Sequence, residues 1–311
     1  MAALRSFPPS AAKSEVSSVP FLGARALFSL NGKVALVTGG GTGIGSFLAK
    51  AFVENGAKVF IASRKMSNLT ATADALNAIV PNSCQAISGD VSSKSGCDAL
   101  AVELKKQTDR LDILVNNSGF AYGGVGIDNV PEQGWDRTFY LNVKALFYLT
   151  VALLPLLEKG KTDTNTASVI NISSVYSFFP SAFQPTVPGG GATWSYGPSK
   201  AAAAQLTKMM AASLMKRHVT VNAILPGYVA TPMTKHAPGD ILSKAHPSGR
   251  MSSAVDMAGI AVLYASPAGA HITGTLTVVD GGMTLQQPDA AGKDVGDSFR
   301  PKRDANGTPK L

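Results

Sequence analysis

The chain has few of the side chains that disulfide-bonded and metal-binding proteins need. Only two of its 311 residues are cysteine, Cys84 and Cys97, and two thiols alone build neither a disulfide framework nor a thiolate metal site. The four histidines show no His-Glu-x-x-His pattern. We therefore expect no metal ion, and we predict a reducing compartment, the cytoplasm.

Long apolar runs and basic patches are also lacking. The longest apolar run, residues 145–157, contains Pro155 and is shorter than the roughly 20 residues that cross a bilayer, so it predicts a buried helix. The formal net charge is +8, but the basic residues are scattered and no run of them alternates with aromatics. This distribution indicates a solvated surface, so we expect neither nucleic acid nor a membrane span.

The two ends of the chain differ in composition from the middle. Residues 1–30 are rich in Ser, Pro and Ala, which fits a targeting peptide such as a mitochondrial one, and equally a disordered leader. Residues 286–311 are polar with scattered Pro and Gly and predict a disordered tail. The terminal Pro309-Lys310-Leu311 is similar to the peroxisomal Ser-Lys-Leu signal, except that Pro replaces Ser.

The middle of the chain alternates between short β-branched runs and longer segments of helical period. The predicted strands are 33–38, 58–62, 84–88, 112–115, 168–172, 220–224 and 276–279. Most are apolar throughout, as strands buried on both faces are. The alternation predicts one α/β domain over residues 31–285, a doubly wound Rossmann-type fold with a seven-stranded parallel sheet flanked by helices. Such sheets bind ligands outside the carboxyl ends of their strands.

A glycine-rich segment follows the first predicted strand. Residues 38–45 read TGGGTGIG and lead into a predicted helix over 46–54. Glycines allow the backbone to turn sharply and to approach a pyrophosphate, and the helix N-terminus offers unpaired N–H groups to it. No Gly-Lys-Ser/Thr follows, which disfavours a phosphate-cleaving P-loop. We predict that a dinucleotide binds here, at Gly39, Gly43, Ile44 and Gly45.

The residues after the next strands predict which dinucleotide binds. Ser63 and Arg64 stand where an acid would hold the 2′-hydroxyl of the adenosine ribose, and a guanidinium suits a 2′-phosphate instead. We therefore predict NADP(H) as the cofactor. Asp90 and Val91 follow the third strand, where adenine would lie, although Asp90 can also cap the next helix. Asn117 follows the fourth strand and is expected to shape the cofactor floor.

Four residues point to chemistry on a substrate oxygen. Ser174 follows the fifth strand, Tyr196 and Lys200 open a long predicted helix, and Asn142 lies in the middle of another. Tyr196 and Lys200 share a helix face, and a nearby ammonium is expected to lower the tyrosine pKa from about 10 towards neutral. Such a tyrosine is a competent general acid or base, and Ser174 can hydrogen-bond the oxygen while charge builds on it. Tyr176 is a competing tyrosine, but no lysine follows it four residues later.

These motifs together resemble the short-chain dehydrogenase/reductase family over about residues 30 to 283. The resemblance rests on TGxxxGIG at 38–45, NNSG at 116–119, Ser174, YxxxK at 196–200 and Pro226-Gly227. It implies that Val229 and Thr231, which follow that Pro-Gly pair, contact the nicotinamide end of the cofactor.

The resemblance also implies a catalytic tetrad of Asn142, Ser174, Tyr196 and Lys200. In it Tyr196 would be the acid or base, Lys200 would also hold the nicotinamide ribose, and Asn142 would anchor a proton-relay water. Within the family, the chain is most similar to the NADPH-dependent 3-oxoacyl reductases of the rhamnolipid-synthesis type, through YGPSK and the arginine after the second strand.

Two departures from the family pattern stand out. The family's NNAG is NNSG here, which is a small change. Ser174 and Tyr196 are farther apart than is usual in the family, because an apolar insertion rich in Pro and Gly lies within residues 178–194. Since this insertion separates two catalytic groups, we expect it to shape the substrate pocket.

The sequence leaves three functions open. The first is NADPH-dependent reduction of a ketone or 3-oxoacyl carbonyl with Tyr196 as the general acid. The second is an NADP-dependent alcohol dehydrogenase working in the oxidative direction, since the chemistry is reversible. The third is a cofactor-sensing binding protein without catalysis, because a fold does not fix a function; the intact tetrad argues against it.

We also expect a homotetramer or homodimer. The predicted helix after Tyr196 carries small and flexible apolar residues at 201–204 and 209–212. Such residues allow close contact between helices, and the resemblance implies association through helices in this region.

Overall fold

Seven parallel strands form the central sheet. In chain order the nine strands of the described residues are β1 Val34–Thr38, β2 Lys58–Ser63, β3 Cys84–Ser88, β4 Ile113–Asn116, β5 Ala167–Ile172, β6 Phe183–Gln184, β7 Gly191–Ala192, β8 Val219–Pro226 and β9 Leu276–Val279. Of these, β6 and β7 lie outside the central sheet. The sheet order is β3-β2-β1-β4-β5-β8-β9, and every pairing in it is parallel. The predicted fold class is confirmed, and the predicted strands differ from the observed ones by at most two residues at either end.

This description comes from a computed structural model, which describes residues 22–123, 126–181, 183–184, 191–235 and 239–286. The predicted tail beyond residue 286 and the predicted leader before residue 22 lie outside these ranges, so targeting and compartment stay predictions. Residues 22–30 of the predicted leader are described. Ala24–Phe28 forms a short helix, α1, and Leu30 is fully buried.

Helices cover both faces of the sheet. They are α2 Gly43–Glu54, α3 Met66–Ile79, α4 Lys94–Lys105, α5 Glu132–Phe139, α6 Ala145–Leu157, α7 Tyr196–Leu214, α8 Gly239–Lys244 and α9 Ala254–Ala265. Helices α4 and α6 pack against each other on one face, and α2 and α9 on the other.

The strands supply a hydrophobic core to each face. Because successive strand residues point to opposite sides, Leu36 and Phe60 enter the core beneath α4, α6 and α7. Val37 and Ile61 enter the other core, beneath α2, α3 and α9. This double burial is why the strands are apolar throughout instead of alternating.

Helix α6 has the bounds of the apolar run in the sequence, and Pro155 lies in its last turn. With the preceding turns it forms a helical stretch, Glu132–Leu157, that is long and apolar enough to cross a membrane by length and composition alone. Half of the most apolar part of that stretch is buried within the fold, and Leu149 and Leu153 belong to the core. The stretch therefore packs as a core helix.

The insertion between Ser174 and Tyr196 contains a short hairpin that the sequence did not predict. Strands β6 and β7 pair antiparallel, with Phe183 opposite Ala192. Residues 182 and 185–190 lie outside the described ranges, so the influence of the insertion on the substrate pocket stays a prediction.

Both cysteines are buried and free. Burial raises the pKa of the Cys84 thiol to about 12 and that of Cys97 to about 11, so both thiols stay protonated and unreactive near neutral pH. Among the described residues, no cluster of three or more His, Cys, Asp or Glu could hold a metal ion.

Candidate active site

A cavity of about 490 Å³ lies at the carboxyl edge of the sheet, where the fold places its ligands. Nearly all the residues that the sequence singled out line it. They are Gly39, Gly43, Ile44, Ser63, Arg64, Asp90, Val91, Asn117, Ser174, Tyr196, Lys200, Val229 and Thr231. Gly45 and Asn142 are the two predicted site residues that do not line it, and each of them lies behind the cavity wall.

The glycine-rich loop has the shape of a phosphate cradle. Gly39 adopts a φ of +65°, which residues with a Cβ rarely accept. A Cβ on Gly45 would collide with the Gly39 carbonyl oxygen, so Gly45 allows the loop to lie flat against α2. Helix α2 begins at Gly43, and its first N–H groups therefore lie at the cavity, which suits a pyrophosphate.

Asn117 ties together the floor of the cavity. Its Nδ2 donates to the Thr38 carbonyl oxygen at 2.9 Å and to that of Gly39 at 3.3 Å, while its backbone N–H donates to Thr38 Oγ1 at 3.0 Å. The Thr38 hydroxyl in turn donates to the Val115 carbonyl oxygen at 3.2 Å. These bonds join the carboxyl ends of β1 and β4.

The far end of the cavity is basic. Arg64 is exposed at the cavity rim beside Ser63 and Lys65, so its guanidinium is available to an anion. Asp90 accepts a hydrogen bond from the Ser92 backbone N–H at 3.0 Å. The cap of α4 is Ser93, not Asp90, so the capping alternative does not account for Asp90.

The catalytic candidates meet at the other end of the cavity. Tyr196 begins α7, and its hydroxyl is hydrogen-bonded to Ser174. Lys200 Nζ lies 5.6 Å from the centre of the Tyr196 ring and donates to the Ile172 carbonyl oxygen at 2.8 Å. Ser174 and Lys200 are both buried, so charge formed here is poorly screened by water.

The pKa of Tyr196 differs from the expectation. Burial raises the pKa of Tyr196, and the hydrogen bond with Ser174 opposes this only in part. Burial also lowers the pKa of Lys200 to about 8. The expected lowering by a nearby ammonium is wrong for this structure, because desolvation penalises both charges and the Lys200 ammonium is bonded to Ile172. A raised pKa keeps Tyr196 protonated, which is the form that a general acid needs.

Asn142 lies in a π-helical turn, Tyr140–Lys144, between α5 and α6. Its Oδ1 accepts from the Phe120 backbone N–H at 2.8 Å, and its Nδ2 donates to the Phe120 carbonyl oxygen at 2.9 Å. The second Nδ2 proton goes to Ser199 Oγ, also at 2.9 Å. Asn142 therefore fixes the loop after β4 against α7, and π-turns of this kind often mark functional sites.

Ser199 is a residue of this site that the sequence analysis did not single out. It is fully buried, accepts from Asn142, and donates its own proton to the Tyr196 carbonyl oxygen at 2.6 Å. It thereby connects the Asn142 amide to the first turn of α7. The YGPSK string contains this serine, but nothing in the string shows that its partner lies 57 residues away.

Replacing Ser199 with Ala is expected to destabilise the fold by about 1–3 kcal/mol, because it leaves one buried Asn142 N–H without an acceptor. Urea denaturation would measure this. The matched control is Ser213→Ala on the same helix, where the exposed hydroxyl bonds to the Met209 carbonyl oxygen; a change within about 0.5 kcal/mol is expected there. Equal losses in the two variants would contradict a specific role for Ser199.

Comparison with known proteins identifies the class to which this fold and site belong. The family model for short chain dehydrogenases matches residues 33–241. The chain therefore belongs to the short-chain dehydrogenase family and is an oxidoreductase, which confirms the family and the enzyme class predicted from the motifs.

Named relatives cover almost the whole of the domain. A rhamnolipid-biosynthesis 3-oxoacyl-(acyl-carrier-protein) reductase of Pseudomonas aeruginosa is 41% identical over 263 residues, which is 83% of this chain and 98% of the relative. A 2-dehydro-3-deoxy-D-gluconate 5-dehydrogenase of Bacillus subtilis is 36% identical over 264 residues, 82% of this chain and 96% of the relative.

A solved structure agrees with both the fold and the cofactor prediction. The active-site complex of Pseudomonas aeruginosa RhlG with NADP superposes with a TM-score of 0.77 at 40% identity, covering 83% of this chain and 98% of that one. The predicted resemblance to reductases of the rhamnolipid-synthesis type is thus confirmed.

Proposed function

We propose that this protein reduces a ketone or 3-oxoacyl-type carbonyl with NADPH, using Tyr196 as the general acid. One observation carries the proposal. A single cavity has the hydrogen-bonded Ser174 and Tyr196 with Lys200 at one end, and the exposed Arg64 guanidinium at the other. A dinucleotide phosphate laid between them would bring its nicotinamide to the tyrosine.

The cavity wall fits this cofactor group by group. The loop at Gly39 and Gly43, with the N-terminus of α2, would hold the pyrophosphate, and Arg64 would pair with the 2′-phosphate. Asp90 and Val91 would flank the adenine. At the opposite end, Val229, Thr231, Ile44 and Asn117 would surround the nicotinamide half, and Lys200 would hold its ribose.

The residues at the catalytic end divide the chemistry among them. NADPH, when bound, would supply the hydride that a carbonyl carbon accepts. The Ser174 hydroxyl donates a hydrogen bond to the carbonyl oxygen, and Tyr196 gives its phenolic proton to that oxygen as negative charge develops there. Lys200 Nζ, 5.6 Å from the centre of the Tyr196 ring, would hold the cofactor ribose beside the tyrosine. The anchoring of a relay water by Asn142 stays a prediction.

A turnover assay separates the three candidate functions. Oxidation of NADPH would be followed with a panel of ketones and 3-oxoacyl thioesters, and reduction of NADP⁺ with the corresponding alcohols. A higher kcat/KM for the carbonyls than for the alcohols at neutral pH supports reduction. The reverse ranking supports an alcohol dehydrogenase, and tight NADPH binding without turnover on either panel supports a cofactor-sensing protein.

We further propose a homotetramer or homodimer that associates through α6 and α7. Phe147 and Val151 are exposed on one face of α6, four residues apart, and Met209 is exposed on α7. Large apolar side chains exposed on a surface favour association. Sedimentation at micromolar concentration is expected to give a dimer or larger species, and Val151→Lys is expected to shift it towards monomer. A parent protein that sediments only as a monomer would reject this proposal.

A further inference from the structure

Two further tyrosines line the cavity beside the catalytic end, and the tetrad gives them no role. The hydroxyl groups of Tyr176 and Tyr228 lie 2.8 Å apart and share a hydrogen bond. The Tyr176 ring packs edge-on against the ring of Tyr196, with centroids 6.2 Å apart. Its backbone N–H donates to Ser174 Oγ at 3.3 Å. Tyr176 and Tyr228 therefore line the same cavity as Ser174 and Tyr196, with the Tyr176 ring in contact with the Tyr196 ring.

Tyr228 is held rigidly from behind the cavity. Its backbone N–H donates to His246 Nε2 at 3.3 Å, and His246 Nδ1 donates to the Leu242 carbonyl oxygen at 2.8 Å. Since the Leu242 carbonyl only accepts, the imidazole proton is on Nδ1, and Nε2 is left as the acceptor. His246 is fully buried, and its ring meets that of Tyr228 edge-on at 5.8 Å. Tyr228 is thus preorganised.

The shared hydrogen bond uses one of the two hydroxyl protons, so the pair keeps one proton for a further acceptor. Burial raises the pKa of Tyr176 and the shared bond raises it further, whereas the same bond lowers the pKa of Tyr228. Burial outweighs this effect and raises the pKa of Tyr228 overall, so Tyr228 remains a neutral donor at neutral pH.

The surroundings of the pair are apolar. Both tyrosines belong to a small hydrophobic cluster that includes Val175, Leu242 and Met283, with Phe179 packed against it. A hydroxyl group at such an apolar wall has few hydrogen-bond partners, and leaving its proton without an acceptor costs free energy. A ligand oxygen that accepts a hydrogen bond from it removes this cost.

We propose that the Tyr228 hydroxyl donates a hydrogen bond to a second oxygen of the substrate, close to the carbonyl that is reduced. Tyr176 holds the Tyr228 hydroxyl in position for this hydrogen bond. This rests on the proposed carbonyl reduction and names its substrate class: 3-oxo esters and thioesters, in preference to simple ketones. In such substrates the ester or thioester carbonyl lies two bonds beyond the reacting carbon. The oxygen of that second carbonyl accepts a hydrogen bond from Tyr228, while the ketone oxygen accepts hydrogen bonds from Ser174 and Tyr196.

The test compares two substrates of equal chain length, ethyl 3-oxobutanoate and heptan-2-one, of which the first carries an ester group where the second has two methylenes. The quantity measured is the ratio of their kcat/KM values with NADPH. Tyr228→Phe keeps the ring and removes the donor, so the ester-to-ketone ratio is expected to fall roughly 3- to 10-fold. Tyr176→Phe is expected to lower the ratio less. The double variant should fall short of the product of the two effects, because the hydroxyls act as one unit.

Phe179→Leu is the matched control. It removes the edge-on contact between Phe179 and Tyr176, whose ring centres are 6.1 Å apart, and it leaves both hydroxyls in place. The ratio is expected to stay at the parental value, whatever happens to the absolute rates. An unchanged ratio in Tyr228→Phe would overturn the proposal and leave the carbonyl reduction standing. A parent enzyme that turns over neither substrate nor its alcohol would reject the proposed function itself.

Discussion

Replacing Tyr196 with Phe is expected to lower the turnover number by about 10²- to 10⁴-fold, the range that general acid catalysis supplies. The ring stays in place, so the edge-on contact with Tyr176 and the cavity wall should survive. The hydroxyl is lost, and no proton is then delivered to the developing alkoxide. The measurement is kcat for carbonyl reduction together with the dissociation constant of NADPH, which is expected to change little.

Lys200→Ala gives the contrasting result. Because Lys200 is proposed to hold the nicotinamide ribose, this variant should weaken NADPH binding, and it should also slow the chemistry because the nicotinamide is then misplaced relative to Tyr196. Tyr176 provides the other comparison. It lies in the same cavity, but its hydroxyl is bonded to Tyr228. Substantial turnover in Tyr196→Phe would reject the assignment, and loss of turnover in Tyr176→Phe would transfer the acid to that residue.

Replacing Arg64 with Asp is expected to weaken NADPH binding much more than NADH binding. Arg64 stands exposed at the cavity rim directly after β2, where a guanidinium can pair with a 2′-phosphate. Loss of a charge-assisted hydrogen bond of this kind costs about 1.5–3 kcal/mol, which is roughly a 10- to 150-fold increase in the NADPH dissociation constant. Fluorescence titration of each variant with both cofactors measures the preference directly.

A charge control is needed, because the substitution also reduces the net positive charge that attracts an anion. Lys216→Asp makes the same change in charge on an exposed residue at the amino end of β8, away from the cavity. It is expected to leave the NADPH-to-NADH preference at the parental value. If Arg64→Asp keeps that preference as well, the 2′-phosphate of NADPH is bound by Lys65 or Ser63, which line the same rim.

The sequence alone determined the fold and most of the site. Each strand lies between two layers of helices, so its apolar run is continuous and its position can be recognised locally; the predicted strand 84–88 coincides with β3. The parallel order then forces the residues after the strands to one edge of the sheet. For this reason the sequence could place Arg64, Asp90 and Ser174 at one cavity.

Only the tertiary structure decided which side chains hold the catalytic groups. Asn142 and Ser199 are 57 residues apart, and Tyr176 and Tyr228 are 52 apart; these hydrogen bonds arise from how α7 and the segment after β8 pack on the sheet. The π-helical turn at Asn142 and the raised pKa of Tyr196 are likewise consequences of that packing. Strand and helix patterns report local periodicity, whereas a hydrogen bond between distant side chains and the desolvation of a phenol depend on the assembled cavity.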